Sequence, residues 1–437
     1  MSKVWLVLFV LGFTRSNGYQ SYDNYKVFEL TPKSQDHLTA IRALQDQAPR
    51  EGIFSPIDFW REPSSVNSPV DVMVNPQDRI GFDHFLARYN IPSRVVVENV
   101  QKLVDEQKEH IDRAPKFKAG DDPSTFPIDQ YHSLSEIHDW MDSLASSYPD
   151  IASTDIIGQS FEKRDLKLIR IGKKGTNKPG YWLDAGIHAR EWAAVSTAVY
   201  IINELVTKYN SNATYKQLVD KIDFYILPSL NPDGYEYTRN KDRMWRKTRS
   251  GPYGALGCFG VDPNRNFDFH WGESGTSKNP CSDTYGGPKA FSEIECSSLA
   301  DYLKAHNDVL KTYLTLHTYG DLFMYGYGYA AHTYPPDVEE LNSLAQQSAA
   351  AIKAVHGTKY EIGSPTDILY AAAGGSDDWA KAVAGIKWVY TLELRPGDGD
   401  TVPDQRYGFQ LPASYIIPVG EETWAGLQVI AKKLITS

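Results

Sequence analysis

The chain lacks the features that would place it in several protein classes at once. After its first 13 residues it has no apolar run long enough to cross a bilayer, so a membrane protein is not expected. Positive charge is not in excess: 45 Lys and Arg stand against 55 Asp and Glu, which argues against nucleic-acid binding. Internal repeats and low-complexity tracts are absent too. With 41% hydrophobic and 23% charged residues, the composition is that of an ordinary globular protein.

One short apolar run is present, from Val4 to Phe13, directly after Lys3. Its position and length are typical of a secretory signal peptide, and Gly18 marks the expected region of cleavage. We therefore expect a secreted, extracellular protein.

Cysteine is scarce, with only three residues in the chain. In the oxidising compartment that a signal peptide implies, two of them are expected to pair. Cys258 and Cys281 enclose a loop rich in Gly, Ser and Pro, so we predict that they form the disulfide. Cys296 lies in a helical pattern and is predicted to be a buried free thiol.

A length of 437 residues favours two domains, and the pattern up to about Val100 indicates a small α+β unit. Its strands are predicted to form an antiparallel sheet of the βαββαβ type. The predicted strands are Tyr25–Leu30, Phe54–Trp60, Pro69–Val74 and Arg94–Glu98, and the predicted helices are Ser34–Gln45 and Gln77–Tyr89.

A charged helix, about Val100 to Asp112, leads into a segment rich in Pro, Gly and charge from Arg113 to Pro123. Arg113, Lys116 and Lys118 in this segment offer cleavage sites to a trypsin-like protease. In a secreted chain with a catalytic domain behind it, the segment is predicted to be an activation site. A plain interdomain linker is the alternative interpretation.

From Phe126 to the end, strand and helix patterns alternate, which predicts an α/β domain with a mostly parallel or mixed sheet. The candidate core strands are Leu166–Ile171, Gly180–Ile187, Asp223–Leu230, Tyr313–His317 and Lys387–Leu394.

Residues that suit a metal site stand at the ends of these strands. His188 and Glu191 lie between a predicted strand and a helical pattern that starts at Trp192, while His317 and Glu393 each close an apolar strand. Two imidazoles and one carboxylate are the ligands of an open catalytic zinc site, whose fourth position holds the reacting water. Reactive groups at strand ends also agree with the crevice rule for α/β sheets. We predict one zinc ion, although such ligands would also accept cobalt or nickel.

Six motifs make the chain closely resemble the secreted metallocarboxypeptidases of the pancreatic and digestive A/B type, which are made as zymogens. The motifs are His188–Trp192, Leu230–Gly234, Trp245–Arg249, Asp262–Asn266, Tyr370–Ser376 and Leu392–Arg395. The resemblance implies an α/β catalytic domain with a mixed central sheet and helices on both faces, preceded by a small α+β prodomain, an antiparallel open sandwich. The implied segments are a signal peptide at 1–18, a prodomain at 19–98, a connecting helix and activation linker at 99–120, and a catalytic domain at 121–437.

The resemblance also implies catalytic roles. The zinc ligands would be His188, Glu191 and His317. Asp262 would accept the spare ring N–H of His188 and orient it, and its position as a turn residue before Pro263 is compatible with this role. Glu393 would be the general base, and Arg246 would stabilise the oxyanion. Read without the family, Glu393 is a salt-bridged core residue and Arg246 belongs to a solvated basic loop.

Substrate-binding roles are implied in the same way. The groups that would grip the terminal carboxylate are Asn264, Arg265 and Tyr370. The residues that would contact neighbouring substrate positions are Arg190, Tyr319 and Phe409, for which packing is the alternative.

Asp377 carries the specificity prediction. An acidic residue at this position resembles the carboxypeptidase B branch, which removes Lys and Arg, and a buried carboxylate favours such side chains. Asp377 also has the position of a helix cap, and an A-like preference for aromatic or aliphatic residues is the alternative. The segment Pro396–Arg406 is longer than the turn usual in the family and is rich in aspartate.

The expected partners are peptide and protein C-termini and an activating trypsin-like protease, and the expected state is a monomer in an extracellular space such as the gut lumen. A hypothesis of another class is an inactive family member used as a binding protein. Such a protein would have lost the zinc ligands, Glu393 or Arg246, and all of these are present.

Overall fold

The structure is a computed structural model that describes residues 18–45, 57–175, 178–397 and 404–436. The predicted signal peptide and the middle of the segment between Pro396 and Arg406 lie outside these residues. Among the residues that are described, no helix combines the length and the apolar character needed to cross a membrane.

The N-terminal unit is a four-stranded antiparallel sheet in the order β2-β3-β1-β4, as the sequence predicts. Its strands are β1 (Lys26–Leu30), β2 (Asp58–Arg61), β3 (Val70–Val74) and β4 (Ser93–Val97), and its helices are α1 (Gln35–Gln45) and α2 (Arg79–Tyr89). Strand β2 lies later in the chain than predicted, and residues 54–56 of the prediction fall outside the described ranges.

Side chains of this small sheet contribute to two separate cores. Phe28, Val72 and Phe82 belong to a cluster inside the unit. Trp60 and Met73 belong to a second cluster that also contains residues of the C-terminal domain, including Tyr319 and Phe409. Neighbouring positions of a strand face opposite sides of a sheet, so one face builds the unit and the other docks it.

Helix α3 (Val100–Arg113) connects the two units, and the Asn99 side chain caps it by accepting from the Gln101 N–H. In the following residues 114–122, Ala114 is half-buried, Phe117 is buried and the others are exposed. The ring of Phe117 packs edge-on at 5.4 Å from that of Phe126. Arg113, Lys116 and Lys118 are all exposed.

The C-terminal unit is built on an eight-stranded mixed sheet in the order β11-β10-β12-β9-β7-β8-β6-β5. Strands β7, β8, β9 and β12 run parallel in its centre, and antiparallel pairs flank them. The strands are β5 (Ala152–Gln159), β6 (Asp165–Ile171), β7 (Gly180–Ala185), β8 (Asp223–Leu227), β9 (Leu310–Gly320), β10 (Leu322–Met324), β11 (Glu361–Gly363) and β12 (Trp388–Gly397). The predicted mixed sheet is confirmed, but β8 ends before Pro228, which has no N–H for the ladder.

Helices cover both faces of this sheet. Tyr181 and Leu183 of β7 join one apolar core, and Trp182 between them joins the other, as the alternation of a strand requires. The helices are α4 (Leu134–Ser147), α5 (Trp192–Thr207), α6 (Ala213–Lys221), α7 (Pro232–Asn240), α8 (Ile294–Ala305), α9 (Val338–His356), α10 (Pro365–Ile368), α11 (Ser376–Ala382) and α12 (Ile416–Thr436).

The cysteines follow the prediction. Cys258 and Cys281 form a disulfide with their Cα atoms 5.2 Å apart. Cys296 on α8 is a buried free thiol, and its Sγ donates to the carbonyl of Pro263 at 3.3 Å.

Candidate active site

The carboxyl ends of three central strands bring the predicted site together. Strand β7 ends at Ala185, and Gly186 then takes a left-handed conformation with φ of 65°. A side chain there would lie 2.9 Å from Val195, so glycine allows the turn that delivers His188 and Glu191. Strands β9 and β12 are parallel neighbours, and their register sets His317 directly beside Glu393.

His188, Glu191 and His317 form a buried group whose ligand atoms all lie within 4.8 Å of one another. The Nδ1 atoms of the two histidines are 3.2 Å apart, and His188 Nδ1 is 2.8 Å from Glu191 Oε1. Burial alone would raise the pKa of Glu191, but the charges and hydrogen bonds of the two histidines outweigh it and lower that pKa. Two ring nitrogens and an ionised carboxylate that converge on one point fit a zinc ion.

Asp262 links this group to Arg246. Its Oδ1 lies 3.2 Å from His188 Nε2, and its Oδ2 accepts from Arg246 Nη2 at 2.9 Å. Burial favours the neutral acid, yet Arg246 and His188 hold the pKa of Asp262 well below its usual range. The ionised carboxylate therefore turns His188 so that Nδ1 faces the other two ligands.

Glu393 is half-buried, and its Oε2 has no hydrogen-bond partner among the described residues. Burial and the charge of Glu191 raise its pKa to about 8, against the lowering effects of His317 and Arg246. A carboxylate of this kind can accept a proton near neutral pH, and it stands beside the metal-binding group.

Arg265 is buried at 3% exposure but has no carboxylate at ion-pair distance in the described part of the chain. Its Nε donates to Gly275 O at 2.9 Å, its Nη1 to Asn264 O at 2.9 Å, and its Nη2 lies 3.5 Å from Tyr370 Oη. Asn264 Oδ1 accepts from the Ser376 N–H at 3.0 Å, and Asn264 lines the same cavity as Arg265. The fixed guanidinium and the amide can together bind a carboxylate.

One cavity joins these groups to Asp377. Its polar lining includes His188, Arg246, Arg265, Tyr370, Asp377 and Glu393. Asp377 is 9% exposed, and its Oδ2 accepts from Thr391 Oγ1 at 2.8 Å. It stands in the first turn of α11, but that helix has no side-chain cap hydrogen bond, and its N-cap residue is Gly375. The neighbouring Asp378 instead accepts from the N–H groups of Gly328 and Tyr329.

Arg190, Tyr319 and Phe409 do not line that cavity; they face the N-terminal unit. Arg190 Nη1 donates to Asp58 Oδ1 at 2.8 Å, and Tyr319 Oη donates to Asp71 Oδ2 at 2.8 Å. The ring of Phe409 lies 5.5 Å from that of Trp60. These three side chains, which the sequence analysis assigned to neighbouring substrate positions, therefore contact the N-terminal unit.

The sequence analysis missed several residues of the site. The acid Glu62, in the loop after β2, raises the pKa of Tyr370 and of Glu393 in addition to the larger effect of burial. No local signal identifies Glu62 or Asp58, because their partners lie far away in the chain. Thr391 could have been found, because it stands two positions before Glu393 and so faces the same side of β12.

Comparisons with known proteins agree with this geometry. The family model described as zinc carboxypeptidase matches residues 137–426, and the one described as carboxypeptidase activation peptide matches residues 28–107. The chain is 50% identical to "Carboxypeptidase B" of Astacus astacus over 301 residues, 69% of this chain and 96% of that protein. It is 39% identical to "Carboxypeptidase A2" of Rattus norvegicus over 405 residues, 93% of this chain and 92% of that protein.

A solved structure supports the same assignment over almost the full length. The crystal structure of thrombin activatable fibrinolysis inhibitor matches with a TM-score of 0.83 at 32% identity and covers 95% of this chain and 100% of its own. The chain therefore belongs to the zinc carboxypeptidase family, as a zinc-dependent metallocarboxypeptidase zymogen with an N-terminal activation peptide.

Proposed function

We propose that this enzyme is a carboxypeptidase of the B type, which removes C-terminal Lys and Arg from peptides and proteins. The supporting observation is that one cavity contains two separate groups of opposite charge. They are the guanidinium of Arg265, which has no carboxylate at ion-pair distance in the described chain, and the carboxylate of Asp377. A C-terminal lysine or arginine carries the complementary pair of charges, on its carboxylate and on its side chain.

The residues of the chain have the following roles in this proposal. His188, Glu191 and His317 would hold zinc, which when bound would supply Lewis-acid activation of a water molecule. Glu393 takes a proton from the attacking water and delivers it to the leaving amine. Arg246 stabilises the negative charge that develops on the scissile carbonyl oxygen.

The restriction to C-terminal residues follows from Arg265, Asn264 and Tyr370. These residues bind the terminal carboxylate, and Arg265 is too deeply buried to be solvated when that carboxylate is missing. An internal peptide segment would leave this buried cation unpaired, which is costly.

Asp377 selects the side chain that is removed. The hydrogen bond that Thr391 donates to Asp377 holds the carboxylate in the wall of the cavity. A Lys or Arg side chain of the substrate would form a charge-assisted hydrogen bond with it. An aromatic side chain would leave the same carboxylate buried without a cation. The relative from Astacus astacus is named carboxypeptidase B, whereas the relative from Rattus norvegicus is named carboxypeptidase A2, so an A-like preference is the competing outcome.

The zymogen is proposed to be secreted as a monomer after loss of residues 1–18, with a prosegment at 19–98, a connection at 99–120 and a catalytic domain at 121–437. A trypsin-like protease would activate it at Arg113, Lys116 or Lys118, which are exposed. Until then the prosegment covers Arg190 and Tyr319 at the mouth of the cleft.

The test is a comparison of kcat/KM for matched peptides that end in Arg, Lys, Phe or Leu, using zinc-loaded protein after trypsin treatment. We expect an advantage of roughly a hundredfold or more for Arg and Lys, because a buried unpaired charge rejects apolar residues. Asp377→Asn keeps the size of the side chain and should abolish that advantage. Asp367→Asn removes an exposed acid outside the cavity and should retain it.

A preference of the unaltered enzyme for Phe or Leu would contradict the B-type proposal and favour the A type. Failure to cleave any of the four peptides with zinc bound would contradict the proposed catalytic roles.

A further inference from the structure

A groove at the amino ends of the central strands, opposite to the catalytic site, is lined mainly by lysines. We name it the basic groove. Its lysines are Lys173, Lys174, Lys178, Lys221, Lys311 and Lys387. The parallel strands β7, β9 and β12 begin beside it, and their far ends deliver the catalytic residues. The basic groove and the active site therefore lie at opposite ends of the same strands.

Two lysines of the basic groove are neutralised by acids. Lys178 Nζ lies 2.7 Å from Asp223 Oδ1, and Lys387 Nζ lies 3.2 Å from Glu340 Oε2. The acid that lines the groove, Asp220, already accepts from Lys216 at 2.6 Å and from Tyr209.

The remaining four lysines have no acid at ion-pair distance in the described part of the chain: Lys173, Lys174, Lys221 and Lys311. Asp220 interacts with Lys173 only at longer range. The first three are exposed, and Lys311 is half-exposed with its Nζ on the carbonyl oxygen of Asp308. This concentration of positive charge occurs in a chain whose net charge is −10, so it is a local feature and not a consequence of composition.

We propose that the basic groove binds a sulfated polysaccharide chain. A concave groove suits a polymer chain that can enter it better than a flat membrane surface. Its charges come from lysine, a point charge without the planar fork with which arginine selects one carboxylate or phosphate geometry, so repeated sulfates can be neutralised in several registers. The Cys258–Cys281 disulfide indicates an oxidising compartment, where nucleic acid is not the expected polyanion.

Because the groove and the active site lie at opposite ends of the central strands, an enzyme bound to the polysaccharide keeps its active site open to substrate. Binding would concentrate the enzyme on a sulfated matrix without changing its catalytic constants. This inference does not depend on the proposed B-type specificity.

The experiment measures binding of heparin, as the sulfated probe, to the full-length zymogen over a series of salt concentrations. A variant with Gln at Lys173, Lys174, Lys221 and Lys311 should bind at least tenfold more weakly. Its salt dependence should also fall, by about 0.9 in the log–log slope for each lost contact if the rule for duplex DNA holds. After activation, both proteins should cleave a small peptide equally well.

The matched control has Gln at four exposed lysines outside the groove: Lys278, Lys289, Lys353 and Lys359. It has the same net charge as the groove variant and should bind heparin like the unaltered zymogen. Equal losses in both variants would contradict the proposal, since binding would then follow net charge alone. Unchanged binding by the groove variant would contradict it as well.

Two further measurements distinguish the partner and guard against misfolding. Heparin should protect Lys173, Lys174, Lys221 and Lys311 of the unaltered protein from acetylation, which requires no variant. Stronger binding to poly-glutamate or to anionic phospholipid vesicles than to heparin would overturn the choice of a sulfated polysaccharide.

Discussion

The surface that the prosegment covers, which we call the mouth, and the catalytic pocket differ in the partners of their charged side chains. At the mouth, Arg190 and Tyr319 are both bonded to carboxylates of the prosegment. In the pocket, Arg265 has only carbonyl and hydroxyl partners in the described chain, and Oε2 of Glu393 has none. The hydrogen bonds of the prosegment to Arg190 and Tyr319 thus lie outside the pocket. Within the pocket, the prosegment acts by the charge of Glu62, which raises the pKa of Glu393.

This difference separates inhibition from catalysis. Buried polar atoms without partners lower stability, and both parts contain them: Glu393 Oε2 in the pocket, and Trp60 Nε1 and Arg190 Nε at the mouth. The two parts differ in their ionised groups, because the cation at the mouth is paired with a carboxylate and the cation Arg265 in the pocket is not. We interpret the pocket as preorganised for substrate, and the mouth as the surface that the prosegment uses. The two parts should therefore respond differently to substitution.

The largest expected effect is at Glu393. Glu393→Gln should lower kcat by about 10²–10⁴-fold, the usual contribution of a general base, while KM changes little. The same variant should unfold at the same temperature or a higher one, because the lost carboxylate oxygen has no partner. Peptide kinetics measure the change in kcat, and calorimetry measures the unfolding temperature. A large drop in melting temperature would show that Glu393 is a structural residue.

The next effect is at Arg265, the other pocket group without a charged partner. Arg265→Gln should reduce kcat/KM for peptides with a free carboxylate by roughly 30-fold or more, about 2 kcal/mol of lost charge pairing. The unaltered enzyme and Arg265→Gln should both cleave peptides with an amidated C-terminus poorly. The ratio of kcat/KM for the free and the amidated peptide should therefore be smaller in Arg265→Gln. Discrimination that stays unchanged would assign carboxylate binding to another residue.

A smaller effect is expected at the mouth. Trp60→Ala removes an aromatic ring from the docking face of the prosegment, where truncation of a buried anchor costs about 2 kcal/mol. After trypsin cleavage, activity should appear roughly 30-fold faster, with kcat of the mature enzyme unchanged. Tyr89→Ala, at an exposed aromatic on α2, is the control and should activate at the original rate. Equal rates for both variants would place the inhibitory contact elsewhere.

Much of the pocket could be predicted from the sequence because its signals are local. His188 and Glu191 stand three residues apart at a strand–helix junction, and His317 and Glu393 each follow an apolar run. Both strands continue past these residues in the structure, to Gly320 and Gly397. That Glu393 lies directly beside His317 depends on strand register, which no local pattern supplies. The role of Asp377 stayed ambiguous for a similar reason, since its partner Thr391 comes from another element.

The mouth of the cleft could not be predicted in the same way. Arg190 and Asp58 are 132 residues apart, and Tyr319 and Asp71 are 248 residues apart. These pairs form only when the four-stranded sheet packs against the C-terminal unit. Hydrophobic periodicity and motif spacing describe single elements and do not predict how the two units pack together. The sequence analysis therefore assigned Arg190, Tyr319 and Phe409 to substrate contacts, which stays a prediction, and gave no sign of their contacts with the prosegment.

The smallest expected effect is a shift in pH dependence that belongs to the pocket alone. Glu393 must be deprotonated to accept a proton, so kcat/KM should fall as pH falls through its pKa. That pKa should lie above the ordinary value of 4.5 because of burial and below about 8 because bound zinc favours the anion. In Arg246→Gln this acid limb, the fall of kcat/KM at low pH, should move to higher pH by roughly one unit. The reason is the loss of a cation that lowers the pKa of Glu393. Asp377→Asn should leave the limb in place, and a shift in that variant instead would mean that a group other than Glu393 controls it.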